Sequence, residues 1–243
     1  MEMILTKLLK SSLFVTMLIV ANTANAQTHT DQNLSKKQHA IVSIAANTAK
    51  GDLPKLKSEL AAGLEAGLTI QQIKEVIIHV YAYAGFPRSI RGLQTFMSVL
   101  EQRKAKGITD VMGNDASAIK DDRSKYERGK AVLDSLLGAP QNGPQTGYSA
   151  FAPTIEVFLK EHLFADIFER DILTYTEREL ATVSALAGIG GVEPMLQSHF
   201  KICLNVGLTA EQLQQFIGVI RKTAGEKEAQ SAKSVLDEVL KKK

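Results

Sequence analysis

His79 and Tyr83 stand four residues apart in the apolar run Ile77-Ile78-His79-Val80-Tyr81-Ala82-Tyr83. That spacing puts both side chains on one helical face, where they can reach one cleft. An imidazole there is either a core or interface group satisfied by its neighbours or a ligand contact, because histidine changes protonation near neutral pH. Arg178 and Arg88 carry the planar fork that grips a carboxylate through two parallel hydrogen bonds. His29, His39 and His162 show no spacing that sets two ligands on one helical face, so no metal site is expected. The stretch Gly188-Ile189-Gly190-Gly191 is glycine-rich, yet no strand precedes it and no Lys-Ser/Thr follows, which excludes a nucleotide loop. Cys203 is the single cysteine, so no intramolecular disulfide forms. A lone thiol also lacks the resolving partner that disulfide exchange needs, and it reads as a buried, inert group.

The elements that must position these residues come from an internal repeat. Gly51-Asp52-Leu53-Pro54 recurs as Gly191-Val192-Glu193-Pro194, an offset of 140 residues, and Gly67-Leu68-Thr69 recurs as Gly207-Leu208-Thr209. A period this long means duplicated domains, since solenoid repeats are shorter. The matched residues are helix punctuation. Pro54 and Pro194 suit a first helical turn, and Gly67 and Gly207 suit the left-handed position past a helix end. Thr69-x-x-Gln72 and Thr209-x-x-Gln212 are capping boxes opening the next helix. Leu56, Leu60 and Leu64, like Leu196, Phe200 and Leu204, mark core stripes at fourfold spacing. Each copy reads as helix, turn, helix, turn, helix. Between the copies, Pro153 to Phe168 reads as an extra helix with a stripe of Ile155, Phe158, Leu159, Leu163 and Ile167. The class is all-α.

The chain of 243 residues carries a net charge of +3, too small and scattered to imply nucleic acid. Lys7 and Lys10, an apolar run from Leu13 to Ala21, and Ala24-Asn25-Ala26 together read as a signal peptide cleaved after residue 26. The run is too short to span a bilayer, which takes about 20 residues. The expected organisation is a signal peptide over 1–26, a first unit over 27–106, a linker over 107–125 and a second unit over 126–243. The expected location is periplasmic or secreted, with no membrane association after cleavage.

Three stretches carry a family resemblance. They are Thr176-Glu177-Arg178-Glu179-Leu180 followed by His199 and Gly207-Leu208-Thr209, then Tyr83-Ala84-Gly85-Phe86-Pro87 closing an apolar helix, and Tyr126-Glu127-Arg128-Gly129 through Leu137-Gly138. The chain resembles the carboxymuconolactone decarboxylase and alkylhydroperoxidase D-like superfamily over roughly 34–104 and 124–240. The resemblance implies a duplicated helical fold in a homo-oligomer, suggested to be a trimer. The redox branch carries Cys-x-x-Cys, whose places here are Val192 and Met195, with Asp52 and Lys55 in the first copy. None is a thiol.

What the resemblance then implies is an acid–base site. The family's histidine falls on His199 and its acid on Glu179, the catalytic candidates, with Arg178 at the adjoining basic position. Glu179 lies on the helix before His199, so an antiparallel pair would join carboxylate to imidazole and fix its tautomer. The first copy has Glu59 and Gln38 in those places, and the second has Glu226 and Lys227 where the first has Phe86 and Pro87. Each copy keeps what the other lost, which suggests one composite site. Arg178, His79 and Tyr83 are the substrate-binding candidates. The leading expectation is a cofactor-free lyase acting on a small carboxylated lactone or related acid. An antioxidant, peroxidase-type protein and a non-catalytic oligomer that binds a small acid stand as the alternatives. Export argues against a literal role in cytoplasmic aromatic breakdown.

Overall fold

A computed structural model describes residues 33–241 of the chain. The signal peptide expected over 1–26 lies outside the described residues, as do residues 242–243. Among the described residues the regular structure is helical throughout, and no helix is long and apolar enough to cross a membrane.

The first copy begins with α1 (Lys36–Lys50), opened by a capping box between Ser35 and Gln38 and ended by Gly51 at φ 77°. α2 (Leu53–Glu65) starts on Asp52 with Pro54 in its first turn. Gly67 (φ 90°) turns the chain, and the Thr69–Gln72 capping box opens α3 (Ile70–Ala105). α3 is two helices end to end. Gly85, at φ 81° and ψ 163°, breaks the helix, a conformation L side chains rarely adopt. Pro87 therefore falls in the first turn of the second half, where its missing N–H leaves nothing unpaired.

The second copy repeats this plan as α7 (Tyr175–Ile189), α8 (Glu193–Asn205), α9 (Ala210–Thr223) and α10 (Glu226–Lys241). Pro194 lies in the first turn of α8 and the Thr209–Gln212 capping box opens α9. Gly225, at φ 126°, separates α9 from α10 as Gly85 divides α3. Each copy is thus four helices, one more than the three legible in the sequence.

The copies share one apolar core. Their most extensive contact is α1 against α7. The facing residues are small: Ala45, Ala46 and Ala49 on one helix, Ala181, Ser184, Ala185 and Gly188 on the other, all buried. A Cβ on Gly188 would lie 2.9 Å from the carbonyl oxygen of Ala46. Small side chains are what let these two backbones close up to interior packing density.

Between the copies run α4 (Lys125–Leu137), α5 (Gly147–Phe151) and α6 (Pro153–Phe158), the last continuing as a π-helix over Leu159–Phe168. The expected stripe is only half right. Leu163 and Ile167 are buried, but so are Phe164 and Phe168, while Ile155 and Phe158 are exposed. Wider π winding changes which side chains share a face. Gly129 of α4 meets this segment so closely that a Cβ would fall 1.8 Å from the Lys160 carbonyl oxygen. Residues 107–124 contain no helix, yet they are held in place. The carbonyls of Val111 and Met112 accept from the N–H groups of Ile70 and Gln71 at 2.9 Å each, satisfying donors the start of α3 leaves open.

Candidate active site

α7 packs against both α3 and α8, and the polar residues of all three helices meet there. On α3, Glu75, His79 and Tyr83 recur every fourth residue along one face. On α7, Arg178, Glu179 and Thr182 fall within about one turn. α8 adds His199.

Glu179 and His199 are in direct contact. His199 Nδ1 lies 2.8 Å from Glu179 Oε2, the carboxylate side chain fully buried and the imidazole 14% exposed. Oε1 of Glu179 is also buried and has no hydrogen-bond partner on the protein. This contact takes up Nδ1. That leaves His199 Nε2 as the nitrogen available to a ligand.

Tyr83 comes from the other copy. Its ring meets the His199 ring edge-on at 5.9 Å and the His79 ring at 5.4 Å. Thr182 Oγ1 bridges the two, 2.8 Å from His79 Nε2 and 3.1 Å from the Tyr83 hydroxyl. Burial pushes the Tyr83 phenol well above its ordinary range, and the Glu179 charge adds to this. Burial and then the Arg178 charge hold His79 well below its usual value, so it is neutral at pH 7. Residues of both copies meet here: the first supplies Tyr83 and His79, the second Glu179 and His199.

Arg178 does not do what its chemistry suggested. It is fully buried, with Nη2 donating to Glu75 Oε1 at 2.8 Å and to the Arg170 carbonyl oxygen. Its Nη1 lies 3.4 Å from His79 Nδ1. Arg170 joins from the other side, its Nε 3.0 Å from the same Glu75 oxygen. The reason is electrostatic: Glu75 is 99% removed from solvent, and a carboxylate that deep needs cationic donors. Arg178 is therefore a structural partner of Glu75 and presents no free fork to a substrate. Arg88 is exposed and lies over Gly51, where an added Cβ would fall 1.5 Å from its Nη1.

Glu75, Arg170 and Thr182 were not legible as site residues. The repeat of polar groups at Glu75, His79 and Tyr83 on an otherwise apolar helix was the available signal for Glu75. Thr182 carried none, being one hydroxyl on a buried helix of small residues.

Cys203 is buried, and its thiol is pushed well up by burial and by the Glu179 charge. Val192 caps α8 without a side-chain hydrogen bond, and Met195 is exposed. Among the described residues no group of three or more His, Cys, Asp or Glu is arranged to hold a metal. A cleft of ≈ 380 Å³ opens between the Gly188–Gly191 turn and α10. Of its polar side chains, Ser231 pairs with Glu193 and Glu228 with Lys50, and its lining includes none of Glu75, His79, Tyr83, Arg178, Glu179, Thr182 and His199.

The sequence pattern described as the carboxymuconolactone decarboxylase family matches this chain twice, at residues 16–96 and 153–238. A 4-carboxymuconolactone decarboxylase of Acinetobacter baylyi is 26% identical over 121 residues, covering 49% of this chain and 90% of that protein.

Proposed function

Because the chain belongs to the carboxymuconolactone decarboxylase family, we propose that it is an acid–base catalyst, a lyase that removes carbon dioxide from a small carboxylated lactone or related acid. The observation that carries this reading is the Glu179–His199 pair at 2.8 Å, with the imidazole edge reaching solvent beside Tyr83. A carboxylate on the ring carbon γ to an unsaturated lactone carbonyl is poised to leave. The carbon–carbon bond breaks, carbon dioxide departs, and its bonding pair passes through the double bond to the carbonyl oxygen. The resulting dienolate takes a proton at the carbon next to the carbonyl. His199, held by Glu179, gives that proton from Nε2 and recovers it from water. The net reaction consumes one proton and releases one carbon dioxide.

The thiol-peroxidase alternative has less support. Its motif positions carry valine and methionine, and the one thiol is buried and shifted away from thiolate. The reading is tested by incubating the protein with 4-carboxymuconolactone and following carbon dioxide release. Positioned acid–base groups contribute about 10²- to 10⁴-fold, so His199→Gln should lose that much of kcat. Full turnover by His199→Gln would end the proton-donor role.

A further inference from the structure

The hydrogen bonds that end on Tyr83 have a fixed direction. A guanidinium has donors and no acceptor, so Arg178 Nη1 at 3.4 Å obliges His79 Nδ1 to accept. The neutral ring then carries its proton on Nε2. Thr182 Oγ1 is placed to accept that proton, 2.8 Å from Nε2. Thr182 receives from His79 and gives its own single proton to the Tyr83 oxygen at 3.1 Å. Tyr83 is left as a donor whose proton points away from Thr182, and among the described residues no hydrogen bond takes it up. Beside it is the His199 ring, at 5.9 Å. The string begins on a residue that can only donate and ends on a hydroxyl that must donate outward.

We propose that Tyr83 donates to the lactone carbonyl oxygen that becomes anionic as carbon dioxide leaves, and that the ligand class of this site is a planar lactone enolate held between Tyr83 and His199. This rests on the lyase reading above and adds to it the electron sink. A donor aimed at the oxygen where charge develops stabilises the transition state more than the ground state. His199 delivers the proton to carbon while Tyr83 holds the oxygen, so the two groups divide the work between opposite ends of the dienolate. Arg178, His79 and Thr182 are positioning residues. They touch no substrate, and they fix the direction in which the phenol donates.

The probe is tetronic acid, a five-membered lactone whose enol is ionised at neutral pH, titrated calorimetrically into the full chain. Wild type should bind it, and Tyr83→Phe should weaken binding roughly tenfold to a hundredfold, the range for one hydrogen bond to a charged acceptor. Thr182→Val should also weaken it, and Thr182→Ser should restore it. Neutral γ-butyrolactone should show no dependence on Tyr83. Side-chain ¹⁵N NMR of the wild type should find His79 neutral at pH 7 with its proton on Nε2, a measurement that needs no variant to fold. Equal affinity of wild type and Tyr83→Phe for tetronate, no binding by wild type, or a His79 proton on Nδ1 would each overturn the proposal. Tyr83-dependent tetronate binding without carbon dioxide release upholds the donor and removes the lyase reading. Turnover with Tyr83-independent binding does the opposite.

Discussion

Replacing Arg178 with methionine separates the structural role found here from the substrate-binding role its chemistry suggested. Glu75 is 1% exposed and Arg178 fully buried, with one direct contact at 2.8 Å. Removing one member of a buried ion pair costs about 3–5 kcal/mol, because the other charge is stranded. Arg170 still reaches both Glu75 oxygens, at 3.0 and 3.1 Å, which places Arg178→Met near the lower end, about 3 kcal/mol. That is a large part of the roughly 5–15 kcal/mol a domain has in total. The double variant Glu75→Leu with Arg178→Met removes both charges and should recover most of the loss. The assay is urea unfolding followed by circular dichroism, for the two single variants and the double. A cost below about 1 kcal/mol for Arg178→Met, or a double variant as unstable as the summed singles, would refute the reasoning.

Other consequences are as direct. Alanine usually stabilises a helix interior over glycine by about 1 kcal/mol, but Gly129→Ala should destabilise by at least 2 kcal/mol in the same unfolding assay, given the 1.8 Å approach of the Lys160 carbonyl oxygen. His79 is kept neutral by burial and by Arg178, so the unfolded chain takes up its proton first as pH falls. Its stability contribution is full above about pH 6.5 and declines below it by up to about 1.4 kcal/mol per pH unit until the lowered folded value is reached. His79→Asn should remove that slope, and a variant with unchanged pH dependence would contradict it. Cys203 should not react with an aromatic disulfide reagent in the folded protein, and should react once urea unfolds it.

What was legible in the sequence was local. Capping boxes at Thr69 and Thr209, Pro54 and Pro194 in first turns, and Gly67 and Gly207 past helix ends all act through neighbours in the chain, so their patterns carry their meaning. The break at Gly85 was masked by apolar residues on its N-terminal side, and with it the fourth helix of each copy. The π-wound Leu159–Phe168 packs against α4, a contact that no periodicity in that segment records. The site divides the same way. His79 and Tyr83 share a face by spacing alone, and His199 and Glu179 were legible through a motif. Glu75, Arg170 and Thr182 take their roles from residues about 100 positions away, and Arg178 reversed its expected role because burial decides whether an arginine is free. The signal peptide, the location and the oligomer remain expectations of the sequence.

The central claim is that His199, held by Glu179, delivers a proton to carbon. It is tested most directly by turning over 4-carboxymuconolactone in deuterium oxide and locating the deuterium in the product by proton NMR with a chiral solvating agent, which separates the two enantiotopic positions. The account predicts one deuteron on the carbon next to the lactone carbonyl, added to a single face by wild type, with the rate lost in His199→Gln. Deuterium spread equally over both faces, or an unchanged rate without the imidazole, would mean that solvent and not His199 supplies the proton.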